Sequence, residues 1–362
     1  MKNGYFVTGF PGFISEKLLK LWLSDSEEKR IYVLVLPSML KKANEKIEKL
    51  LREASNKSTI HVVEGDITKT DLGLPLPMKL HLQDQIQYVW HLAAVYDLAV
   101  DKALAYKVNV TGTYHVTEWV RNITGLKRYV YFSTAYIAGK REGAIRSDEL
   151  LRPYQFRNYY EETKYEAEVL VQNYKKEIPI TTLRPSIVRG DSEGATTKFD
   201  GPYYLMNMID RLKKFGPIPY IGKSSAELNV VPVDYVAKAA DWLGRSTAGA
   251  GKTYHLTDPH AYPAREIFRF MMLAQTAQKP SYTIPFSLTD KLLSLSIVRK
   301  YLGVERQALD YFQYMGRFVQ DETEQDLAGS LIECPDFIET LDAMVKYYEQ
   351  HKQDKELHPP IK

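Results

Sequence analysis

The sequence predicts an α/β fold: a doubly wound parallel sheet with a smaller, mostly helical C-terminal part. Three observations predict it. Short β-rich runs alternate with helical stretches through the first half of the chain. One of them, Ile31 to Leu36, is continuously apolar, as a strand covered on both faces must be. The first run leads through a glycine turn into a buried helix, the unit that opens such sheets.

The elements follow in order. Tyr5-Phe6-Val7 is the first strand, and Leu18, Leu19, Leu21, Trp22 and Leu23 mark the first helix. Ile31 to Leu36 is the second strand, followed by a polar helix from Lys41 to Arg52. Ile60 to Val63 is the third strand and runs into Glu64-Gly65-Asp66-Ile67. Tyr88 to Leu92 is the fourth, ending in Ala93-Ala94. A helix covers about Val100 to Asn122. Arg128 to Phe132 is the fifth strand, ending in Ser133-Thr134-Ala135. Tyr160 to Lys175 is helical, and Ile180 to Arg184 is a sixth strand closed by Pro185. After about Gly190 the pattern changes. Gly201-Pro202 and Gly216-Pro217 bracket an amphipathic helix with Leu205, Met206, Met208, Ile209 and Leu212. Leu228 to Val233 and Thr253 to Leu256 are short strands around a helix from Val236 to Leu243. From Ala264 onward the chain is mostly helical. Pro285 to Leu302 reads as a core or pocket-wall helix, with an amphipathic membrane-surface helix as the alternative. Tyr311, Phe312, Tyr314 and Phe318 line an acyl pocket or form plain core. The charged tail from His351 to Lys362 is expected to be loose.

The totals exclude several classes. At 362 residues the chain is too long for one small core. Apolar content of 44% and charged content of 26% are those of a soluble globular protein. A net charge of +3 without a Lys/Arg block argues against nucleic acid. The single cysteine, Cys334, excludes an intrachain disulfide and suits a reducing, cytoplasmic setting. Met1 to Gly4 run straight into the first strand, leaving no room for a signal peptide. No apolar run reaches the ~18 residues of a membrane span. The histidines show no metal-ligand spacing, so no metal is expected, and His91 reads as a strand-end packing residue.

The chemistry gathers at the strand ends. Thr8-Gly9-Phe10-Pro11-Gly12-Phe13-Ile14-Ser15 joins the first strand to the first helix. Such a turn offers a phosphate unpaired N–H groups and the positive end of a helix dipole. Gly9 suits the sharp bend, and Gly12, lacking Cβ, lets a diphosphate approach the backbone. The spacing is G-x-x-G-x-x-S, with small Ser15 in the place of a third glycine. Tyr160 and Lys164 stand one helical turn apart on one face. An ammonium beside a phenol lowers its pKa, so the pair suits acid–base work near neutral pH. Thr134, after Ser133, can hold a carbonyl oxygen. Asn109 lies inside a helix and can relay protons through a water. Each feature alone has a plainer reading: an ordinary turn, a surface contact, a cap, a packed amide.

Together these residues resemble the extended branch of the short-chain dehydrogenase/reductase superfamily. The resemblance rests on Thr8 to Ser15, Asp66-Ile67, His91-Leu92-Ala93-Ala94, Asn109, Ser133-Thr134-Ala135-Tyr136, Tyr160 to Lys164 and Arg184-Pro185-Ser186-Ile187-Val188, in family order over roughly the first 190 residues. Ser133-Thr134-Ala135-Tyr136 and Asn229-Val230-Val231-Pro232-Val233-Asp234 are similar to the fatty acyl-CoA reductase and thioester reductase subgroup. Ala135 replaces the acidic residue usual after the Thr in sugar-nucleotide dehydratases. The resemblance implies an NADP-binding Rossmann domain over residues 1–190, with 229–257 returning to it. A substrate-binding part then covers 191–228 and 258–350. It implies cofactor contacts from Thr8, Gly9, Phe10, Pro11, Gly12, Phe13, Ile14, Ile67, Leu92, Ala94, Ser133 and Ser186. Asp66 would meet the adenine, Ala93 the phosphates and ribose, and Pro185 and Ile187 the nicotinamide. Thr134 would hold the reacting oxygen, Tyr160 would donate the proton, and Lys164 would grip the ribose and tune the tyrosine. Hydride addition to a thioester carbonyl would give a hemithioacetal that collapses to aldehyde, and a second round would give alcohol.

A carboxylate ending the second strand would select NAD. That strand ends Val35-Leu36-Pro37-Ser38, without an acid and without the subgroup's usual Arg at about Leu36. Ser38, Lys41 and Lys42 are the candidates for a 2′-phosphate, so NADPH is expected, with NAD the alternative. The expected function is reduction of an acyl thioester, aldehyde or ketone. The substrate is a small molecule, free or bound to coenzyme A or a carrier protein, because the chain has no adenylation or carrier region. A homodimer is left open. The alternatives are a sugar-nucleotide epimerase or dehydrogenase of the same branch and a non-catalytic NADP-sensing protein.

Overall fold

The computed structural model describes residues 3–362; Met1 and Lys2, part of the signal-peptide reading, lie outside them. Asn3–Thr8 (β1) passes through the glycine turn into Phe13–Ser24 (α1). Lys29–Val35 (β2), Leu40–Arg52 (α2), Thr59–Glu64 (β3), Leu76–Gln85 (α3) and Tyr88–His91 (β4) follow. Lys102–Ala105, the π-helical Tyr106–Gly112 and Thr113–Arg121 run on without a break as α4. Next come Arg128–Phe132 (β5), Tyr159–Asn173 (α5) and Ile180–Pro185 (β6). Tyr203–Leu212 (α6), Val233–Arg245 (α7), Thr253–Leu256 (β7) and Ala264–Thr276 (α8) complete the main elements.

The seven strands form one parallel sheet in the order β7-β6-β5-β4-β1-β2-β3. The order reverses between β1 and β4, which opens a crevice at their carboxyl ends. Alternation along each strand feeds two cores. Tyr5, Val7, Ile31, Val33, Val35 and Val130 pack with α1 and α7 on one face. Phe6, Tyr32, Leu34, Tyr129 and Tyr131 pack with Trp119 and Val171 on the other. Trp22 of α1 donates to Asp241 of α7 across 2.7 Å, which locks the two helices together. The third core lies in the C-terminal part, where Phe199, Tyr203, Met206, Ile209, Phe268, Met344 and Tyr348 pack together.

Three features differ from the sequence reading. Helix α3 was not expected: Leu76, Met78 and Leu80 are exposed while Leu82 is buried, so no single apolar stripe announces it. Pro285 to Leu302 is not one helix. It breaks into Phe286–Leu293 and Ser296–Leu302; Leu293 is buried and Phe286, Val298 and Leu302 pack on the C-terminal core, while Leu288, Leu292, Leu295 and Ile297 are exposed. The tail is not loose. Phe199 N–H donates to the Leu357 carbonyl at 2.6 Å, His358 lies edge-on to the Phe199 ring, and Lys362 N–H reaches Glu305 at 2.8 Å. Its charge hid the apolar Leu357 and Ile361, which pack on the C-terminal core. No helix among the described residues is long and apolar enough to cross a membrane.

Candidate active site

The glycine turn is built as a phosphate cradle must be, for reasons partly different from those expected. Gly9 has φ +84°, and a Cβ there would stand 2.7 Å from the Ala93 nitrogen. Glycine therefore serves both the bend and the close approach of the chain leaving β4. Gly12 caps α1 and its N–H closes a turn onto the Gly9 carbonyl at 2.8 Å. A Cβ on Gly12 would lie 2.4 Å from that carbonyl oxygen, so the turn itself, before any ligand, requires glycine. Buried Ser15 does more than stay small: its hydroxyl reaches the carbonyls of Gly9 at 2.9 Å and Gly12 at 3.0 Å. Phe10 is buried in the core beneath the turn, while Pro11, Phe13 and Ile14 are half-buried around it.

Thr8 is fully buried and faces inward, away from a cofactor-contact role. Its hydroxyl pairs with His91 Nδ1 at 2.7 Å and accepts the Ala93 N–H at 3.2 Å. Leu92, Ala93 and Ala94 remain half-buried at the mouth of the crevice. Asp66 accepts the Thr68 N–H at 2.8 Å through one oxygen, leaving the other without a partner among the described residues. Ile67 is buried, and a Cβ on Gly112 would stand 2.8 Å from its Cδ1, so it packs on α4. Ser38, Lys41 and Lys42 are exposed where β2 gives way to α2, and neither lysine has an ion-pair partner among the described residues.

The acid–base group assembles between β5, β6 and α5. Asn158 caps α5 through the Glu161 N–H at 2.9 Å, which fixes Tyr160 in the helix's first turn. Thr134 follows β5; its hydroxyl donates to the Pro185 carbonyl at 3.3 Å and accepts from Tyr136 N–H at 3.3 Å. Burial pushes the Tyr160 phenol well above its ordinary value, and the neighbouring Thr134 hydroxyl opposes this only in part. Lys164, one turn on, is buried and pushed down to about 7. Its ammonium donates to the Phe132 carbonyl at 2.5 Å and the Tyr131 hydroxyl at 3.0 Å. The expected lowering of Tyr160 by Lys164 is therefore absent: burial governs both groups, and the ammonium is drawn toward β5.

Asn109 sits in the π-helical stretch, the kind of distortion that often marks a functional site. Its amide is fully used. Oδ1 accepts the Val95 N–H at 2.8 Å, and Nδ2 donates to the Val95 carbonyl at 3.0 Å and the Thr163 hydroxyl at 2.9 Å. The side chain pins the loop after β4 to α5 and has no N–H left for a relaying water.

Two buried hydroxyls, Ser133 Oγ and Ser186 Oγ, have no hydrogen-bond partner. They stand at the ends of adjacent strands, one on each side of the Thr134–Pro185 contact, and Ile187 is half-buried beyond. Buried polar atoms left unpaired await a partner. A nicotinamide dinucleotide with its diphosphate at the Gly9–Gly12 turn and its amide end at these serines fits this donor set.

Other groups carried no signal in the sequence. Buried Tyr131 accepts from Lys164, while the Thr113 hydroxyl lies 3.0 Å from His91 Nε2 and His91 leads back to Thr8. Burial pushes His91 down to about 3, so it stays neutral. Arg157 and Glu161 form a buried ion pair at 3.0 Å, with Tyr311 donating to Glu161 at 2.9 Å and the Tyr314 ring 4.1 Å from the guanidinium. The aromatic set from 311 to 318 thus docks the C-terminal part onto α5. Burial pushes the Cys334 thiol up, which suits no nucleophile. Among the described residues no three His, Cys, Asp or Glu side chains could share a metal.

A profile of the NAD-binding male sterility protein family matches residues 7–240. The chain belongs to that family. This places it in the extended short-chain dehydrogenase/reductase branch, among the thioester reductase-like members. The non-canonical nonribosomal peptide synthetase cpsA of Aspergillus campestris is 28% identical over 310 residues, covering 80% of this chain and 29% of that protein. Fatty acyl-CoA reductase wat of Drosophila melanogaster is 25% identical over 273 residues, covering 66% of this chain and 53% of the other. The chain therefore spans between 29% and 53% of these curated relatives. The terminal R domain from the myxalamid PKS-NRPS biosynthetic pathway superposes with a TM-score of 0.82 at 25% identity, covering 98% of this chain and 92% of that one. UDP-glucuronic acid 4-epimerase from Bacillus cereus, seen in complex with NAD, shares the fold with a TM-score of 0.67 at 19% identity.

Proposed function

We propose that the chain is an NADP-dependent reductase of acyl thioesters or the aldehydes derived from them. The observation that carries this is the placing of Thr134 and Tyr160 as neighbours at the carboxyl ends of β5 and β6, beside two serine hydroxyls without a partner among the described residues. Bound NADPH would supply the hydride. Thr134 and Tyr160 hold the carbonyl oxygen between two hydroxyls and so stabilise the negative charge that develops on it. Burial keeps the Tyr160 phenol protonated at neutral pH, as a proton donor must be. Lys164 keeps one N–H beyond its two protein acceptors, which suits a ribose hydroxyl. Unpartnered Lys41 and Lys42 favour a 2′-phosphate over a plain ribose. The chain's similarity to fatty acyl-CoA reductases and to a reductase domain favours a thioester carried by coenzyme A or a carrier protein. Lone Cys334 suits a cytosolic setting.

The test is a substrate panel with NADPH and NADH. Acyl-CoAs and long-chain aldehydes should oxidise NADPH, with kcat/KM at least tenfold above that with NADH. Turnover of a UDP-sugar without net NADPH loss would replace this reading with an epimerase. A kcat/KM with NADH equal to or above that with NADPH would overturn the NADP assignment.

A further inference from the structure

The loop after β4 and the segment before α6 bring three polar side chains to the substrate side of the crevice. Lys198 Nζ donates to the Tyr96 hydroxyl at 3.3 Å, lies 4.8 Å from the centre of its ring, and faces Asp200 at 3.6 Å. Val95, the residue before Tyr96, is tied through Asn109 to Thr163 of α5, three residues after Tyr160. Asp200 and Gly201 adjoin Ile187: a Cβ on Gly201 would lie 3.1 Å from Ile187 Cγ2. The cluster therefore lies between the start of α5 and the residue after Ser186.

Both backbones are held. Tyr96 sits between Val95, pinned twice by Asn109, and Asp97, which pairs with Lys362 at 2.6 Å. Lys198 precedes fully buried Phe199, whose N–H is fixed by the Leu357 carbonyl. The donors are not used up. The Tyr96 hydroxyl accepts from Lys198, and its own proton has no acceptor among the described residues. An ammonium has three N–H bonds, and Tyr96 and Asp200 take at most two. Asp200 offsets the charge without closing the cluster, since Tyr96 is exposed and a third of the Lys198 side chain is open.

We propose that Tyr96 and Lys198 form a two-donor subsite for a second oxygen acceptor of the substrate, an amide or carboxylate oxygen near the carbonyl held by Thr134 and Tyr160. This rests on the reductase reading and adds to it a second oxygen acceptor that the substrate must present. The acceptor belongs either to the acyl group or to the amide-containing arm of a pantetheine thioester.

The experiment compares wild type with Lys198→Met and Tyr96→Phe on three substrates. These are a plain medium-chain aldehyde, an N-acylamino aldehyde and a plain acyl-CoA. Each variant should lose about tenfold more kcat/KM on an oxygen-bearing substrate than on the plain aldehyde, the size of one charge-assisted hydrogen bond. Loss on the N-acylamino aldehyde assigns the acyl side, and loss on the acyl-CoA assigns the pantetheine side. Equal losses on all three, or none, overturn the subsite. Calorimetry with unreactive amide and alkane analogues on the NADP-loaded protein separates the two readings. Preference for the amide in wild type, lost in Lys198→Met, keeps the subsite even if no substrate turns over. The same weak affinity for both analogues in every protein rejects it.

Discussion

Lys164 shows how much of a site is decided by single atoms. Its ammonium is held by the Tyr131 hydroxyl and the Phe132 carbonyl, with His91 on β4 and Glu168 on its own helix as the nearby titratable groups. Its value of about 7 means that the charged form is lost as pH rises through neutrality. A hydrogen bond from the charged form to Tyr131 opposes that loss. Tyr131→Phe should therefore move the alkaline limb of the kcat/KM profile toward acid, lowering kcat/KM roughly three- to tenfold at pH 8 and little at pH 6. An unmoved limb would detach Tyr131 from Lys164's charge. That Thr134, Tyr160 and Lys164 stand around one strand end was legible, because a strand terminus and one helical turn fix their places. Tyr131, Thr113 and Tyr96 were not, because nothing in their local sequence says which atom across the sheet they meet. The bonds that Asn109 makes were not legible, because they depend on the loop at Val95.

At the scale of elements, strands and helices with a clean period were readable, and those whose neighbours decide their faces were not. Strand β2 is apolar on both faces and is buried on both. Helix α3 and the 286–302 pair expose several of their leucines, so their apolar residues misdirect any reading from the sequence alone. Helix α7 crosses the sheet so closely that a Cβ on Gly244 would lie 2.7 Å from Trp90 Cη2 and 2.9 Å from Val130 Cγ2. Gly244→Ala should therefore destabilise by ~1–3 kcal/mol despite alanine's helix propensity. Thermal unfolding should show a lower Tm, and an unchanged or raised Tm would mean that α7 sits further from the sheet.

The whole molecule joins a parallel sheet to a C-terminal core through specific polar ties. Arg157, Glu161 and Tyr311 connect that core to α5, Tyr254 and His255 of β7 bind Asp326 and Val319, and the chain's last residues wrap back over Phe199 and Glu305. The sheet was legible because its connections follow one rule repeated six times. The C-terminal part was not, because its strands of two or three residues pair with distant segments and its tail hides apolar anchors among charges. Deleting residues 352–362 exposes Phe199 and removes the Lys362–Asp97 pair beside Tyr96. The truncated protein should melt several degrees lower and bind substrate more weakly than NADPH binding changes. An unaltered Tm would show that the tail contributes no packing.

The most direct test of the account is Tyr160→Phe, assayed for turnover of an acyl-CoA or aldehyde and for NADPH affinity on the same preparation. The account predicts a fall in kcat of at least ~100-fold, the scale of a lost general acid, with the NADPH Kd within about twofold. Near-normal turnover, or an NADPH affinity that collapses together with activity, would contradict a proton delivered from that phenol.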